Sequence, residues 1–287
     1  MTIQHPHGHH HQQGRHNDHQ QSHEPAMAET LDLDALLLRG HLQEIFDWTA
    51  RHQPAPATIM DLGAGTGTGT LGLLRTFPQA RVAAVDQSEF MLARLALAVA
   101  EQQQSHRVDT LQVDLDAAWP ELADVDLMWA ASSMHHMSDP AAILNRIAAT
   151  LAPEGVLVVV EMDALPHHLP RDLGFGVPGL EQRLHDAAAL AGWNAHPDWT
   201  PAILESGMEI AEQRTFAYNT SENPELIARN AQTFLSRMRS SLEGTLSPED
   251  LATMEQLLDP RSPRALTKRT DLSMRGSRTV WAARPGR

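Results

Sequence analysis

The chain contains the sequence Thr58-Ile-Met-Asp-Leu-Gly-Ala-Gly-Thr-Gly-Thr-Gly-Thr70. A short apolar run ends at Leu62, and glycine then occupies every second position from 63 to 69. This pattern predicts a buried strand followed by a glycine-rich turn and a helix, which together let a ligand approach bare backbone. Asp61 stands beside the turn, where a carboxylate repels a pyrophosphate and attracts the amino group of a cationic cofactor.

A dinucleotide-binding fingerprint is also present, as Gly67-Thr-Gly-Thr-Leu-Gly72. A lone match of this kind is weak evidence, and this one begins too late for a strand that ends near Leu62. If the first glycine were Gly63, the third would fall at position 68, which is Thr. An NAD(P)-dependent oxidoreductase of the Rossmann type therefore stays as an alternative function.

Apolar runs and helical patterns alternate outward from this turn, which predicts an α/β fold with a doubly wound sheet. We expect strands at Thr58–Leu62, Arg81–Asp86, Val108–Val113, Val125–Ala131, Gly155–Glu161, Met208–Tyr218 and Thr270–Ala283. We expect helices at 29–52, 70–77, 88–102, 140–151 and 181–206, and two more within 222–258. Ser88 and Ser247 are predicted to cap two of these helices.

Residues 1–28 are predicted to form a disordered, His-rich tail. Positions 1–25 hold eight of the 17 histidines and almost no large apolar residues, so the segment cannot bury enough surface to fold. Because imidazoles bind transition metals, a non-enzymatic metal-binding protein that uses this tail is a second alternative. Residues 29–287 are predicted to form one domain, with helical insertions at about 163–206 and 220–262 that cap a substrate.

Five segments between residues 58 and 161 resemble the motifs of class I S-adenosylmethionine-dependent methyltransferases. Asp61-Leu-Gly-Ala-Gly-Thr-Gly67 resembles motif I, and His135-His136-Met-Ser-Asp-Pro140 resembles the turn after strand four in the small-molecule branch. The other three are Ala84-Val-Asp-Gln-Ser88, Gln112-Val-Asp-Leu-Asp116 and Leu151-Ala-Pro-Glu-Gly155. The resemblance implies a Rossmann-like seven-stranded sheet, mostly parallel, with an antiparallel last strand. It also implies methyl transfer from S-adenosylmethionine to O, N or C of a small molecule, leaving S-adenosylhomocysteine.

The resemblance also implies which residues hold the cofactor. Asp86 ends the second strand about 20 positions after the glycine turn, where an acidic residue binds ribose hydroxyls, a position that would suit NAD equally well. Asp114 is expected near the adenine amine, with Asp116 as its substitute. The expected cofactor-binding set is Asp61, Gly63, Ala64, Gly65, Thr66, Gly67, Asp86, Gln87, Met91, Asp114, Leu115, Ala130 and Ala131.

His135 and His136 follow the fourth strand, at the edge of the sheet where the methyl group is expected. A histidine can remove a proton from an acceptor near pH 7, so either is a candidate catalytic base. The alternative is that one shapes the methionine pocket and the other hydrogen-bonds the loop. His136, Glu161 and Asp163 are candidate substrate ligands, and no metal is expected to take part in the chemistry.

The composition limits the class of partner. The 287 residues carry a net charge of −14 and no cysteine, which excludes disulfides, thiolate metal sites and a cysteine nucleophile, and disfavours nucleic acid as a partner. No apolar run is long enough to cross a membrane, so a cytoplasmic protein is expected. Residues 261–287 depart from this acidity, with eight Lys or Arg against one Asp. They form either a solvated last hairpin and tail or a local anion site for an acidic substrate.

Overall fold

The computed structural model of the protein describes residues 13–193 and 198–286, with side chains from residue 24 onward. The strands are β1 (Thr58–Leu62), β2 (Arg81–Asp86), β3 (Val108–Gln112), β4 (Val125–Ala131), β5 (Leu151–Met162), β6 (Met208–Thr220) and β7 (Met274–Pro285). The helices are α1 (Gln13–Leu37), α2 (Arg39–His52), α3 (Thr68–Thr76), α4 (Glu89–Glu101), α5 (Pro140–Thr150), α6 (Leu180–Leu190), α7 (Thr200–Glu205), α8 (Pro224–Leu242) and α9 (Pro248–Leu258).

One seven-stranded sheet organises the fold, in the order β3-β2-β1-β4-β5-β7-β6. Strands β1 to β5 pair in parallel, and β7 is antiparallel to both of its neighbours. The predicted doubly wound, mostly parallel sheet with an antiparallel last strand is confirmed. The strand order reverses between β1 and β4, and in such sheets ligands bind in the crevice at the carboxyl ends of the strands flanking that reversal.

Side chains alternate between the two faces of the sheet, and each face has its own apolar core. On one face, Trp129 and Val158 pack with residues of α2, α3 and α4. On the other face, Met128 and Val159 pack with residues of α5 and α7. A third apolar cluster joins α6, α8 and α9 beside the sheet. The face to which a strand residue points therefore decides whether it can reach a ligand on the α2–α4 side.

Two serines begin helices as predicted. The Ser88 hydroxyl accepts a hydrogen bond from the Met91 amide at 3.1 Å at the start of α4. The Ser247 hydroxyl accepts one from the Asp250 amide at 3.1 Å at the start of α9. Each bond satisfies an amide of the first turn that no helical carbonyl can reach.

The N-terminal region differs from the prediction of a disordered tail. Residues 13–28 belong to α1, and the helix predicted over 29–52 is divided at Leu38 into α1 and α2. Distant polar partners hold the described part of α1, because Ser88 donates to Glu24 at 2.6 Å and Arg229 pairs with Glu29. Composition could not reveal such long-range contacts. Residues 1–12, and the histidine side chains before residue 24, lie outside the described part of the chain, as does their expected metal binding.

The second half of the chain also departs in detail from the prediction. The single helix expected over 181–206 is two helices, α6 and α7, and residues 194–197 between them are not described. The two helices expected within 222–258 are present as α8 and α9. Strand β5 begins at Leu151 rather than at the predicted Gly155, and so includes the Leu151–Gly155 motif. Among the described helices, none has the length and apolar character needed to cross a bilayer.

Candidate active site

A cavity of about 530 Å³ lies at the carboxyl ends of β1, β2 and β4, beneath α1 and α2. Its size is in the range of small-molecule and cofactor sites. Most of the expected cofactor-binding residues line it. They are Asp61, Gly63, Ala64, Gly65, Thr66, Asp86, Gln87, Met91, Asp114, Leu115 and Ala131.

The glycine turn has little room for side chains. Gly63 has φ +72°, and a Cβ atom there would lie 2.5 Å from Cβ of Ser133. Gly69 opens α3 next to the cavity, and its Cβ would lie 2.8 Å from Nε1 of Trp129 and 3.0 Å from Oδ2 of Asp61. The Gly63 and Ala64 amides donate to the Val85 carbonyl, which fixes the turn to β2. The backbone is thus held where a ligand can approach it.

Asp61 is a buried carboxylate at the glycine-turn end of the cavity. It accepts a hydrogen bond from the Thr70 hydroxyl at 2.6 Å. Burial raises its pKa to about 7, the Thr70 hydrogen bond opposes this rise, and the nearby charge of Asp86 adds to it. A cationic ligand would offset the cost of ionising this group.

Asp86 and the Gln112–Asp116 loop bring further carboxylates to the cavity. The two Asp86 oxygens accept the Gly65 and Ser88 amides, each at 2.9 Å, so this side chain also organises the glycine turn. The Asp116 carboxylate accepts the Ser138 amide through both oxygens, at 2.9 and 3.1 Å. One Asp114 oxygen accepts the Asp116 amide at 3.0 Å, and no described bond engages the other. Asp114 therefore keeps more capacity for a ligand than Asp116 does.

Two expected cofactor residues do not line the cavity. The side chain of Ala130 points to the opposite face of β4 from Trp129 and Ala131, because side chains alternate along a strand. Gly67 faces Leu95 instead, at 2.8 Å from the position its Cβ would take. Its φ of +96° forms the turn before α3, so its role is in the backbone.

The two candidate histidines lie in different places. His136 lines the rim of the cavity, where partial withdrawal from water and the neighbouring His135 imidazole lower its pKa. His135 does not line the cavity, and its Nδ1 lies 2.9 Å from a carboxylate oxygen of Glu161. The two imidazole rings are 4.1 Å apart between centroids. Only His136 is in position to contact a ligand in this cavity.

Glu161 and Asp163 do not reach the cavity either. Glu161 points to the opposite face of β5 from Met162, which does line it. Asp163 accepts hydrogen bonds from the Ser277 hydroxyl and, at 2.6 Å, from the Thr279 hydroxyl, so it ties the end of β5 to β7. Both carboxylates hold structure around the site rather than a group within it.

Several lining residues have no counterpart in the sequence motifs. Met27, Leu31, Asp34 and Ala35 form one face of α1 over the cavity, with the three- and four-residue spacing of a helix. Phe46 of α2 stacks on Trp129, with ring centroids 5.0 Å apart. Arg278 of β7 closes the side near β5. The sequence contains one indication that residues of α1 and α2 face the protein interior, which is the helical spacing of apolar residues over 29–52.

The residues predicted as a cap lie elsewhere. No described residue between 163 and 262 lines the cavity. Helix α8 instead supports α1 from behind, through the Arg229–Glu29 ion pair and a 2.8 Å hydrogen bond from Asn230 to Asp34. Helices α1 and α2 therefore cover the cavity.

One group of potential metal ligands occurs among the described residues. Ligand atoms of His167, Glu181 and His185 lie within 4.8 Å of one another. The Glu181 carboxylate already accepts the amides of His168 and Leu169, at 2.6 and 3.0 Å, and Arg275 lies 3.9 Å away. These hydrogen bonds and the nearby arginine account for the buried negative charge of Glu181 without a metal ion.

Residues 60–157 match the family model described as a methyltransferase domain. The match covers the glycine turn, the Asp86 and Asp114 loops and the turn that carries His136, whereas the lining residues of α1, α2, β5 and β7 lie outside it. In this region the chain is similar to methyltransferase domains.

Relatives of the methyltransferase domain include trans-aconitate 2-methyltransferases. The chain is 35% identical over 151 residues to the one from Acidovorax sp. (strain JS42), which covers 50% of this chain and 56% of the relative. It is 38% identical over 141 residues to the one from Azoarcus sp. (strain BH72), covering 47% and 51%. The chain thus spans about half the length of the curated relatives it matches.

Solved structures show the same fold at lower identity. A protein described as a type II methyltransferase from Anaeromyxobacter dehalogenans has a TM-score of 0.56 at 19% identity, covering 85% of this chain and 97% of its own. One described as a methyltransferase from Bacillus halodurans has a TM-score of 0.53 at 18% identity, covering 85% and 99%. The structural similarity thus extends past residue 157, where the match to the methyltransferase-domain model ends.

Proposed function

We propose that this protein transfers the methyl group of S-adenosylmethionine to a small-molecule acceptor. The observation that carries the proposal is Asp61, a buried carboxylate that faces the cavity at the end of the glycine turn. An NAD(P) pyrophosphate beside this group would meet a negative charge, whereas the amino group of S-adenosylmethionine would meet an opposite one. The methyltransferase-domain match over the same residues supports this reading.

The residues around the cavity fit this cofactor. The indole Nε1 of Trp129 and the hydroxyl of Ser133 are buried without hydrogen-bond partners among the described residues, and both residues line the cavity. Buried polar atoms of this kind are normally satisfied, so they fit a polar ligand. Asp61 would hold the amino group and Asp86 the ribose hydroxyls, because a carboxylate accepts more bonds than the amides already supply. Asp114 would hold the adenine amine.

The chain's own contribution is positioning and the exclusion of water. When bound, S-adenosylmethionine supplies a methyl group already activated on a sulfonium. Leu31, Phe46 and Trp129 give the cavity an apolar wall, which keeps water from the reacting atoms and strengthens electrostatic contacts inside. The backbone turn at Gly63 fixes the cofactor relative to the rim where His136 lies.

Where the methyl-accepting substrate must lose a proton, His136 is the proposed catalytic base. Its lowered pKa keeps the imidazole neutral at pH 7, so it can take a proton. The His135–Glu161 pair would position the turn that presents His136, acting through it rather than on the substrate. The proposal retains the cytoplasmic location expected for this cysteine-free sequence.

The relatives supply the first acceptor to test. They are trans-aconitate 2-methyltransferases, and their alignments span about half of their length. We include trans-aconitate in the proposal as a candidate acceptor on that basis.

The test is calorimetric titration of S-adenosylhomocysteine and of NAD⁺ into the full chain. We expect micromolar binding of S-adenosylhomocysteine and none of NAD⁺. Asp86→Ala should abolish the binding, whereas the control Asp109→Ala should not, because Asp109 is exposed and pairs only with Arg81 at the far edge of the sheet. Binding of NAD⁺ with no binding of S-adenosylhomocysteine would refute the proposal. If S-adenosylhomocysteine binds, a second assay measures its release from S-adenosylmethionine in the presence of trans-aconitate, and release would identify trans-aconitate as an acceptor.

A further inference from the structure

Arg278 is a buried cation without a close counter-ion. Its side chain is 8% exposed and lines the cavity. Its Nε atom is buried without a hydrogen-bond partner, and no described carboxylate forms an ion pair with its guanidinium. Buried charges in proteins are normally paired because desolvation of an isolated ion is costly. The environment of Arg278 is therefore incomplete without an anion.

Four other basic residues of the described segment 261–286 do have partners. Arg269 pairs with Asp271 at 2.6 Å, Arg261 with Asp259 at 3.1 Å, and Arg284 donates to the His52 carbonyl at 2.6 Å. Arg275 donates to the Leu169 carbonyl at 2.8 Å. Residues 261–287 are predicted to form either a solvated hairpin and tail or a local anion site. The first alternative fits these four side chains, and the second fits Arg278.

Asp34 is a candidate for an internal counter-ion, and it is a poor one. It lines the same cavity, and one of its carboxylate oxygens accepts a 2.8 Å hydrogen bond from Asn230. Burial raises the pKa of Asp34, although Arg278, Asn230 and His168 all act to lower it. This rise weakens Asp34 as a counter-ion, and no described ion pair or hydrogen bond joins its carboxylate to the Arg278 guanidinium.

Two further titratable groups near Arg278, His41 and Tyr218, are neutral. The buried His41 ring has no hydrogen-bond partner on either nitrogen among the described residues, and burial followed by the charge of Arg278 lowers its pKa to about 4. Burial raises the pKa of Tyr218 to about 12, although Arg278 opposes the rise. Both therefore stay uncharged at pH 7, and neither compensates the cation.

Arg278 lies at the opposite side of the cavity from the glycine turn. It stands directly across from Met162, at the end of β5, whereas Asp61 ends β1, two strands away. Among the described lining residues, Arg278 is the one Arg or Lys, against Asp34, Asp61, Asp86, Asp114 and Asp116. Asp34 lies on the Arg278 side, and the other four carboxylates lie at the ends of β1 and β2 and in the Asp114 loop, so the cavity has a cation on its β5 and β7 side and most of its carboxylates on the other.

We infer that Arg278 binds a carboxylate group of the methyl acceptor. This inference rests on the proposed function, because it assigns the acceptor side of a cavity whose other side holds the methyl donor. A guanidinium offers two parallel N–H groups that match a carboxylate, and such charge-assisted hydrogen bonds are the strong ones in proteins. The anion satisfies the buried guanidinium, and Arg278 orients the acceptor toward the cofactor.

The test compares carboxylates with their neutral carboxamides as acceptors of the full-length protein. A panel of small mono-, di- and tricarboxylic acids and the matching amides is assayed for release of S-adenosylhomocysteine and, by calorimetry, for binding to the protein saturated with that product. We expect turnover of at least one carboxylate and not of its amide. Arg278→Met should then lower kcat/KM for that carboxylate by about 10- to 100-fold, mainly through KM.

Two further variants make this result specific. Arg278→Lys should restore part of the activity, because it keeps the charge and loses the paired N–H geometry. Arg214→Met is the matched control, since Arg214 is an exposed arginine on the neighbouring strand β6 that stacks on Phe216 outside the cavity. Its kcat/KM should stay within twofold of the unmodified protein.

Binding of S-adenosylhomocysteine distinguishes a failure of the Arg278 inference from a failure of the proposed function. If Arg278→Met binds it normally and keeps the same kcat/KM for the carboxylate, or if amides serve as well as acids, the inference is overturned and the proposed function stands. A large fall in Tm of Arg278→Met with unchanged acceptor kinetics would make Arg278 a structural partner of Asp34, which also overturns it. No binding of S-adenosylhomocysteine to the unmodified protein would overturn both.

Discussion

The two ends of the cavity are built in contrasting ways. At one end, Asp61 lies beside a glycine turn within a continuous stretch of 13 residues, Thr58–Thr70. At the other end, Arg278 of β7 meets Met162 of β5 and Asp34 of α1, from three distant parts of the chain. The first end presents a buried carboxylate and the second a buried guanidinium.

The comparison shows where local sequence carries function. The glycine turn sets its own backbone geometry, so a local motif carries this part of the proposed donor site. The proposed acceptor site is formed where β7 lies beside β5 and α1 covers the cavity, so it depends on the whole fold. Both ends bury a charge, so both are strained electrostatically until a ligand of opposite charge is bound.

The largest effect is expected from Asp61→Asn. The pKa of Asp61 is about 7 in the folded protein, above its unfolded value, so ionisation of this group destabilises the fold as pH rises from about 4 to 7. The asparagine should raise the free energy of unfolding by about 4 kcal/mol at pH 8 and by less than half of that at pH 5. Urea unfolding at the two pH values measures this difference.

The same variant should weaken binding of S-adenosylhomocysteine by about 100-fold, since a buried charged hydrogen bond is lost. Asp109→Asn, at an exposed site, should change neither quantity. A gain in stability that is equal at pH 5 and pH 8, or unchanged affinity, would show that Asp61 is not the ionised partner of the cofactor.

The sequence predicted the parallel sheet well because its strands are short apolar runs that end at turn residues. The β1 and β4 strands have the predicted bounds, and Ser88 caps α4. Helix α1 was missed over residues 13–28 because its described contacts are polar and reach Ser88 and Arg229. The break between α6 and α7 did have a local signal that the prediction missed, because Gly192 and Pro197 fall between the two helices.

The second effect compares Gly63→Ala with Gly174→Ala. Both glycines have similar positive φ, +72° and +76°, so both substitutions carry the strain of a left-handed alanine, about 1 kcal/mol. Only Gly63 also meets an obstacle, the Ser133 Cβ at 2.5 Å, whereas nothing lies near Gly174. We expect a loss of about 3 kcal/mol for Gly63→Ala.

Thermal and urea unfolding of the pair isolate the steric part. Gly63→Ala should also weaken S-adenosylhomocysteine binding, and Gly174→Ala should not. Equal losses of stability in the two variants would mean that Ser133 moves aside freely, and that the turn is not held at close contact.

Some of the site residues expected from the sequence line the cavity and others do not, and the geometry of β-strands explains the difference. Eleven expected cofactor residues line the cavity, because a motif places backbone and side chains together. The side chains of Ala130 and Glu161 point away from it, since a motif that spans a strand includes residues of both faces and only alternation along the strand separates them. Arg278 could be marked as basic but not as buried, because its surroundings come from α1, α2 and β6.

The smallest effect comes from the two helix caps. Ser88→Ala removes the cap of α4, near the donor end, and Ser247→Ala removes the cap of α9, beyond the acceptor end. Each should lower the free energy of unfolding by about 1 kcal/mol. If the two regions unfold as one unit, intrinsic fluorescence and circular dichroism will report the same single transition in both variants. A separate early transition in Ser247→Ala alone would show that the α6, α8 and α9 region unfolds independently.

The position of β7 has a consequence for the order in which the molecule assembles. β7 follows β6 in the chain but lies between β5 and β6 in the sheet. During synthesis, the five parallel strands that carry the donor end can pair as soon as β5 has left the ribosome. β6 has no partner in the sheet until β7 emerges and inserts, and pairing over such long separations is slow. The nascent protein thus completes its cofactor end before its acceptor end exists.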